Sequence, residues 1–196
     1  LLTNWDHPIM EVMELGKGMD LNVGLDHVAA GRCMASHLVD KGYRDIVYVG
    51  ARLAQDYRAS MRYEGHKSVL QTNGIDAPLV ELDTLGSLKA GSESLDQVFA
   101  QHPKTKAIHF ANDDLAAGAL LAAQRRGFNV PNDIAIAGFN GLPLGQHVTP
   151  QLTTILSPRE EMGRLAAKEL IRRLSGKNVY RRQHDVGFKL QLGEST

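Results

Sequence analysis

Short apolar runs alternate with amphipathic segments along the middle of the chain. Three short, mostly apolar runs are typical of strands buried on both faces, at residues 46–50, 107–111 and 134–138, and residues 79–82 form a weaker predicted strand that contains Glu81. Three segments between them repeat apolar residues at helical spacing and end at a glycine or before a proline, at residues 59–73, around Leu95 to Phe99, and at 112–126. One strand and one helix in roughly every thirty residues is typical of a parallel sheet wound by right-handed crossovers. We therefore predict an α/β fold with a parallel sheet.

The segment from Ala107 to Leu120 carries the clearest indication of a ligand site. Its apolar strand ends at Asn112 and Asp113, residue types that cap helix N-termini, and apolar residues then recur at helical spacing. This polar turn therefore lies at the carboxyl end of a strand, where open parallel sheets bind their ligands. The segment predicts a ligand site without indicating which ligand it binds.

The two ends of the chain predict further elements outside this central unit. A strand at 22–25 and a helix at 28–41 precede it. After it, Ser157-Pro-Arg-Glu160 matches a capping box with proline in the first helical position, and the helix that it opens ends at Gly176. Because elements at both ends bracket a complete α/β unit, we predict a second lobe built from both ends.

The predicted lobes are a partial amino-terminal lobe and a complete carboxy-terminal lobe. The first comprises residues 1–43 and 157–178, and the second comprises residues 44–156 and 179–196. The predicted hinge consists of the segments that connect them, near 42–45, 155–158 and 177–180.

Composition and motifs exclude several classes of protein. Twenty-two Lys and Arg residues balance twenty-two Asp and Glu residues, so net charge provides no general attraction to nucleic acid. The single cysteine, Cys33, excludes an intramolecular disulfide and fits a reducing compartment. No run approaches the roughly eighteen apolar residues of a membrane span. The chain has neither a dinucleotide-binding glycine motif after a strand, nor a P-loop, nor a hydrolase nucleophile elbow. We therefore predict that it is not an enzyme, with no catalytic residue and no cofactor.

Motifs across nearly the whole chain resemble the lactose/galactose repressor family of transcriptional regulators. They are Asp26-His27 ahead of a helix that ends His37-Leu-Val-Asp-Lys-Gly-Tyr-Arg44, Arg58-Ala-Ser-Met-Arg-Tyr-Glu-Gly65, Phe110-Ala-Asn-Asp-Asp-Leu-Ala-Ala-Gly118, Val130-Pro-Asn-Asp-Ile-Ala-Ile-Ala-Gly-Phe139, and Leu152-Thr-Thr-Ile-Leu-Ser-Pro158 followed by Glu161-Met-Gly163. Each motif alone is weakly specific, but together they have the order and spacing of the family. Within it, Pro8-Ile-Met-Glu-Val-Met-Glu14 and Met19-Asp-Leu-Asn-Val-Gly24 are most similar to gluconate-responsive repressors.

The resemblance implies a periplasmic-binding-protein-like fold with two lobes, one complete and one partial in this chain. Family members begin with a helix-turn-helix domain, a hinge helix and the first elements of the amino-terminal lobe, and nothing here resembles those parts. The chain therefore resembles an amino-terminally truncated effector-binding core. As the family implies, we expect a cytoplasmic repressor that forms a homodimer or higher homo-oligomer, with no membrane contact. It would bind operator DNA only through the absent amino-terminal part.

The function implied by the resemblance is effector sensing. A small sugar acid or sugar, with gluconate favoured, would bind in the cleft between the lobes and allosterically change operator affinity. The alternative is a periplasmic sugar-binding receptor of a transporter, because such receptors share the two-lobed architecture. The pattern from Leu152 to Gly163 is more similar to the repressors. A helix-turn-helix or a signal peptide upstream would distinguish the two.

The resemblance also implies five effector-binding residues. Arg62 corresponds to the family's arginine that holds a polar group of the effector, and its guanidinium suits a carboxylate or paired hydroxyls. Asp56 and Arg58 follow the strand at 46–50, in a loop where other members place effector contacts. Asn112 corresponds to a residue that touches sugar hydroxyls in several relatives. Asn140 occupies a position where the family usually has aspartate.

The amide of Asn140 favours an anionic ligand. Aspartate there would accept hydrogen bonds from two sugar hydroxyls, but it would repel a ligand carboxylate by about 1 kcal/mol or more. An amide removes that repulsion and can also donate. With two arginines nearby, Asn140 favours a sugar acid. The alternative is that Asn140 is only a turn residue, in a Phe-Asn-Gly sequence that favours turns.

Two other features have simpler alternatives to a functional role. Arg58 fits a solvated residue at the start of a helix as well as a ligand contact. Asp113 and Asp114 have the appearance of a metal-binding pair, but acidic residues in a first helical turn ordinarily stabilise the helix dipole. We therefore predict no metal site.

Overall fold

A computed structural model describes residues 7–16, 20–177 and 181–196 of the chain. Its strands are β1 Met10–Glu14, β2 Leu21–Leu25, β3 Ile46–Ala51, β4 Leu79–Leu82, β5 Ala107–Phe110, β6 Ala135–Asn140, β7 Thr153–Leu156, β8 Gln183–Asp185 and β9 Lys189–Gln191. Its helices are α1 His27–Asp40, α2 Tyr57–Thr72, α3 Leu88–Gln101, α4 Asp113–Arg125, α5 Pro143–His147 and α6 Arg159–Leu174. No helix among these residues has the length and apolar content to cross a membrane.

The larger of two compact units comprises residues 27–156 and 189–196. Its sheet has the strand order β4-β3-β5-β6-β7-β9, and every neighbouring pair is parallel except β7 with β9. All four residues of β5 are buried and three of them are apolar, with His109 as the exception, as expected for a central strand that is covered on both faces. The predicted α/β fold with a parallel sheet is confirmed, apart from the antiparallel edge strand β9.

The smaller unit comprises residues 1–26 and 157–188. Its described strands form a parallel sheet in the order β1-β2-β8, and α6 packs against β1 and β2. Met162 and Ala166 form the buried apolar stripe of α6, while Ile171 and Leu174 near its end are exposed. In the part of the smaller unit that the structure describes, α6 therefore covers a separate three-stranded sheet.

The units differ from the predicted lobes in two places. The boundaries between the units fall at 26/27, 156/157 and 188/189. The boundaries between the predicted lobes fall at 43/44, 156/157 and 178/179. Helix α1 belongs to the larger unit because it packs along α2, and β8 belongs to the smaller unit because it pairs with β2. The predicted hinge segment near 42–45 therefore lies inside the larger unit. Residues 178–180 of another predicted hinge segment lie outside the described residues.

Two glycines allow α1 and α2 to approach closely. A Cβ atom added to Gly31 would lie 2.0 Å from the carbonyl oxygen of Arg62, and one added to Gly65 would lie 2.0 Å from that of Val28. Contacts this short are impossible for any larger side chain without moving a backbone. The two helices therefore cross with backbone against backbone, and this crossing fixes the start of α1 beside the middle of α2.

The predicted capping box at the start of α6 is wrong. The helix begins at Arg159, so Pro158 rather than Ser157 is the N-cap residue, and no side chain caps the helix. The Ser157 hydroxyl is buried and forms no hydrogen bond among the described residues. Its carbonyl instead accepts a hydrogen bond from Arg159 N at 2.8 Å, which shifts the helix start by one residue.

Candidate functional site

The carboxyl ends of β3, β5 and β6 meet at one edge of the larger unit's sheet. A cavity of about 300 Å³ opens there, between the loops that follow β3, β4 and β5. Its walls include three of the predicted site residues, namely Asp56, Arg58 and Asn112. The structure therefore brings these three residues together at the sheet edge where parallel sheets bind ligands.

Asp56 and Asn112 both begin a helix and line this cavity. The Oδ1 atom of Asp56 accepts a hydrogen bond from Ala59 N at 3.0 Å, and that of Asn112 accepts one from Leu115 N at 2.9 Å. Both side chains thus cap helix N-termini, as predicted for Asn112. Within the described chain, the second oxygen of Asp56 and the amide nitrogen of Asn112 form no hydrogen bond. Those two atoms are available to a ligand.

Arg58 adds a positive charge to the wall of the cavity. It lies in the first turn of α2, partly buried, with its guanidinium carbon 6.0 Å from the centroid of the Tyr57 ring. It forms no ion pair with any carboxylate in the ranges that the structure covers. Its charge is therefore available to a ligand in the cavity.

Arg62 lies behind the cavity rather than in its wall. Its side chain is buried, with Nη1 2.9 Å from Nδ1 of His27 and Nη2 donating to the carbonyl oxygen of Ala111 at 3.0 Å. The guanidinium carbon lies 4.0 Å from the centroid of the Phe139 ring, which is a close cation–π contact. Ala111, which accepts this hydrogen bond, also lines the cavity, so Arg62 is one residue removed from it.

The charge of Arg62 has no direct counter-ion among the residues that the structure describes. Among the described residues, no carboxylate forms an ion pair with its guanidinium, and its Nε atom is buried without a hydrogen-bond partner. Burial lowers the pKa of Arg62, Tyr48 and Asp56 nearby raise it, and Arg58 lowers it. Arginine nevertheless stays protonated at neutral pH, so the larger unit contains a buried cation without an ion-pair partner.

Asn140 is the last residue of β6 and follows Phe139, whose ring packs against the guanidinium of Arg62. It does not line the cavity. Its φ of 118° lies in the left-handed region, which asparagine tolerates better than most residues. Asp113 fixes the turn that follows, because its Oδ2 atom accepts a hydrogen bond from Leu142 N at 2.7 Å and its Oδ1 atom one from the Thr154 hydroxyl at 2.7 Å. Asn140 therefore lies in a turn, as the Phe-Asn-Gly sequence favours, and its contact with a ligand stays a prediction.

The same contacts give Asp113 a structural role. Both of its oxygens accept hydrogen bonds from the chain. Burial raises the pKa of Asp113, while the hydrogen bonds from Thr154, Leu142 and Gly141 lower it. No group of three potential metal ligands occurs within the ranges described.

Sequence reasoning missed a buried histidine pair beneath the site. Nδ1 of His109 on β5 lies 3.0 Å from Nδ1 of His66 on α2, and both rings pack against Tyr48. His66 follows Arg62 by four residues, so it lies on the same face of α2. Burial lowers the pKa of His66 to about 3, and burial, His66 and Arg62 lower that of His109 well below its ordinary value. The four-residue spacing of Arg62 and His66 on α2 was the one sequence feature that could have placed His66 near the site.

A larger cavity of about 600 Å³ lies at the opposite edge of the same sheet, beside the start of β3 and the loops after α2 and α3. Arg44 donates to the backbone carbonyls of Val39 and Tyr43. All four charged residues of this cavity's wall are exposed, namely Arg44, Asp45, Asp76 and Lys104. Ligands of open parallel sheets bind at the carboxyl ends of strands, not at this edge. The smaller cavity beside Arg62 is therefore the better candidate, despite its size.

The family model and the most similar curated proteins indicate the same family. Residues 35–196 match the family described as periplasmic binding protein-like domain. The transcriptional regulator GntR of Pseudomonas aeruginosa is 42% identical over 192 residues, which are 96% of this chain and 55% of that protein. GntR of Escherichia coli K12 is 36% identical over 189 residues, which are 96% of this chain and 56% of that protein. The chain thus spans about half the length of these curated relatives, which are regulators and not enzymes.

Solved structures agree with these relatives. The transcription regulator GntR from Chromobacterium violaceum superposes with a TM-score of 0.91 at 35% identity, over 96% of this chain and 69% of that one. A LacI-family regulator from Silicibacter pomeroyi superposes with a TM-score of 0.90 at 32% identity, over 96% of this chain and 57% of that one. This chain therefore belongs to the LacI, or lactose/galactose repressor, family of transcriptional regulators, and its fold is that of their periplasmic-binding-protein-like core.

Proposed function

We propose that this chain senses a small sugar acid, with gluconate as the first candidate, for a DNA-binding transcriptional repressor. The ligand would lie at the carboxyl edge of the larger unit's sheet, in contact with Arg62, Arg58, Asp56, Asn112 and Asn140. These are the five residues for which the family resemblance implied effector contacts.

The unpaired charge of Arg62 is the observation that carries this proposal. Moving a cation out of water costs several kcal/mol unless a counter-charge and hydrogen bonds offset the loss. The described chain supplies two neutral acceptors and an aromatic face, but no ion-pair partner. A ligand carboxylate at this edge of the sheet would supply the missing negative charge.

Three other features support an anionic polyol. Arg58 adds a second cation in the cavity wall. The resemblance implies that Asn140 occupies a position where the family usually has aspartate, and its amide has no charge that would repel an acid. Asn112 offers its amide nitrogen to a hydroxyl group. The free oxygen of Asp56 would accept from a hydroxyl group, and because its charge repels an acid, the ligand's carboxylate would lie away from it. The volume of about 300 Å³ is at the lower end of the range for ligand pockets, which suits a molecule the size of gluconate.

The remaining parts of the function are proposed from the family. The effector would change operator affinity allosterically, and operator DNA would contact a part of the protein outside this chain. The regulator would act in the cytoplasm as a homodimer or higher homo-oligomer. The alternative, a periplasmic receptor of a transporter, lacks the support of the relatives described above, which are transcriptional regulators.

The decisive experiment is calorimetric titration of the whole protein that contains this chain. Gluconate is compared with its neutral amide, gluconamide, and with glucose, ribose and a purine. Saturable binding of gluconate, with gluconamide much weaker, is the expected result. Preferential binding of a neutral sugar would retain the family and overturn the anionic ligand.

The variant Arg62→Gln tests the residue that carries the proposal. Glutamine can still donate one hydrogen bond towards the Ala111 carbonyl, but it has no charge. We expect gluconate affinity to fall by about tenfold to a hundredfold, since charged hydrogen bonds contribute about 1.5–3 kcal/mol. Arg44→Gln is the matched control, because Arg44 is an exposed arginine at the opposite edge of the sheet. Equal affinities in both variants would remove Arg62 from the site.

A further inference from the structure

We propose that His27 positions the Arg62 guanidinium for its anionic ligand and, because it is a neutral acceptor, leaves the charge of Arg62 to that ligand. The nature of the ligand rests on the proposed function. The positioning itself does not, since it follows from the contacts of the two side chains.

The first step is the protonation state of His27. Its Nδ1 atom lies 2.9 Å from Nη1 of Arg62, and both residues are buried, with exposed fractions of 1% and 5%. A guanidinium has only donors, so Nδ1 must be the nitrogen that carries the lone pair. The proton of the imidazole therefore resides on Nε2, and His27 is neutral in this contact.

The second step is the orientation of the guanidinium. His27 accepts from Nη1, the Ala111 carbonyl accepts from Nη2, and the Phe139 ring covers one face at 4.0 Å. The His27 ring itself packs against Phe139 with 5.7 Å between ring centroids. Two acceptors in the plane and one ring above it define both the plane and the rotation of the guanidinium. The Nε–H and the second hydrogens of Nη1 and Nη2 are then left in fixed directions.

The third step concerns the charge of the residue at position 27. A carboxylate at position 27 would accept the same hydrogen bond, but it would also pair with Arg62 and cancel most of its attraction for an acid. A neutral imidazole provides the hydrogen bond without the charge. Specificity is a difference of affinities, so the residue at position 27 should set how strongly the site prefers an acid to its neutral analogue.

Three substitutions separate these contributions. His27→Asn keeps an acceptor, since Oδ1 of asparagine can occupy nearly the same place as Nδ1. His27→Asp has the same shape as that variant and adds a negative charge. His27→Leu removes the acceptor while retaining an apolar side chain. His37→Asn is the control, because it replaces a histidine near the other end of α1.

We expect a distinct result from each variant in titrations of the whole protein with gluconate and gluconamide. His27→Asn and His37→Asn should keep gluconate affinity within about threefold, and His27→Leu should lose about tenfold or more, as expected for a lost charged hydrogen bond. His27→Asp should lower the preference for gluconate over gluconamide by about tenfold or more. Unchanged gluconate affinity in His27→Leu, or an unchanged preference in His27→Asp, would overturn the inference.

A measurement without effector distinguishes this inference from the proposed function. In ¹H–¹⁵N NMR spectra, we expect the imidazole of His27 to show a lone-pair Nδ1 and a protonated Nε2. The Arg62 guanidinium should show slow rotation that His27→Leu abolishes and His27→Asn restores. If the wild-type protein fails to bind gluconate while these signals are present, the ligand assignment is wrong and the positioning role stands. A mobile guanidinium in the wild-type protein would overturn the positioning role.

Discussion

Asn140 combines a left-handed backbone with an amide at the end of β6, next to the ring that supports Arg62. We expect Asn140→Asp to weaken gluconate binding by about 1 kcal/mol more than it weakens gluconamide binding, because only gluconate meets a like charge. Aspartate tolerates the same backbone region, so the change adds charge with little strain. Calorimetry with both ligands measures the difference. Equal losses for the two ligands would leave Asn140 as a turn residue alone.

At the scale of elements, the crossing of α1 and α2 brings His27 and Arg62 together. An alanine at Gly65 would place its Cβ 2.0 Å from the Val28 carbonyl oxygen, so the helices must separate. We expect Gly65→Ala to lower the free energy of unfolding by about 1–3 kcal/mol, the usual cost of overpacking, and to weaken gluconate binding. Urea denaturation and calorimetry measure the two effects.

Gly163 provides the matched control for that substitution. It lies within α6, is exposed, and has no atom within 4 Å of the place where a Cβ would be. Gly163→Ala should raise the free energy of unfolding by about 0.5–1 kcal/mol, because alanine restricts the unfolded chain and favours helix. If both variants changed stability in the same direction, the close crossing of α1 and α2 would not be what makes Gly65 necessary.

The contact between His66 on α2 and His109 on β5 predicts a dependence on pH. Burial holds the pKa of His66 at about 3 and that of His109 well below its ordinary value, so both stay neutral in the folded protein. Below about pH 6.5 the unfolded chain binds protons at these histidines and the folded chain does not. Their contribution to stability is therefore complete above that pH and declines as pH falls. We expect the free energy of unfolding to fall by about 1.4 kcal/mol per pH unit for each of the two histidines between about pH 6 and pH 4.

Urea denaturation at a series of pH values tests this expectation. His109→Gln should reduce the slope by about 1.4 kcal/mol per pH unit, because it removes one of the two neutral imidazoles. His147→Gln controls for replacing a histidine as such, since His147 is exposed. A slope unchanged by His109→Gln would show that the pair does not stay neutral on folding.

The elements also show what a sequence can and cannot predict. Strands β3 and β5 were predictable because burial on both faces selects mostly apolar residues, with His109 as the exception in β5, and α4 because Asn112 caps it. The partner of α1 was not predictable, because an amphipathic pattern shows which face is buried but not against what. The pairing of His27 with Arg62 joins residues 35 positions apart through one hydrogen bond, and such a contact has no periodic signature.

At the scale of the whole molecule, the proposed function requires that the candidate site be coupled to DNA. The two units have separate sheets, and the chain passes between them after residues 26, 156 and 188. An effector bound at the larger unit affects DNA affinity only if it binds one state of the whole protein more tightly than another. The proposed coupling between ligand and DNA would therefore be a property of the whole protein, and it is measurable without knowledge of the intermediate conformations.

Thermodynamic reciprocity gives the test. If gluconate changes the affinity for operator DNA by some factor, DNA must change the affinity for gluconate by the same factor, typically about 5- to 150-fold. A DNA fragment that the whole protein selects from a random pool serves as the operator. Fluorescence anisotropy gives DNA affinity with and without saturating gluconate, and calorimetry gives gluconate affinity with and without DNA. We expect equal factors in the wild-type protein and a factor near one in Arg62→Gln at the same gluconate concentration. Tight gluconate binding that leaves DNA affinity unchanged would mean that this site does not regulate the operator.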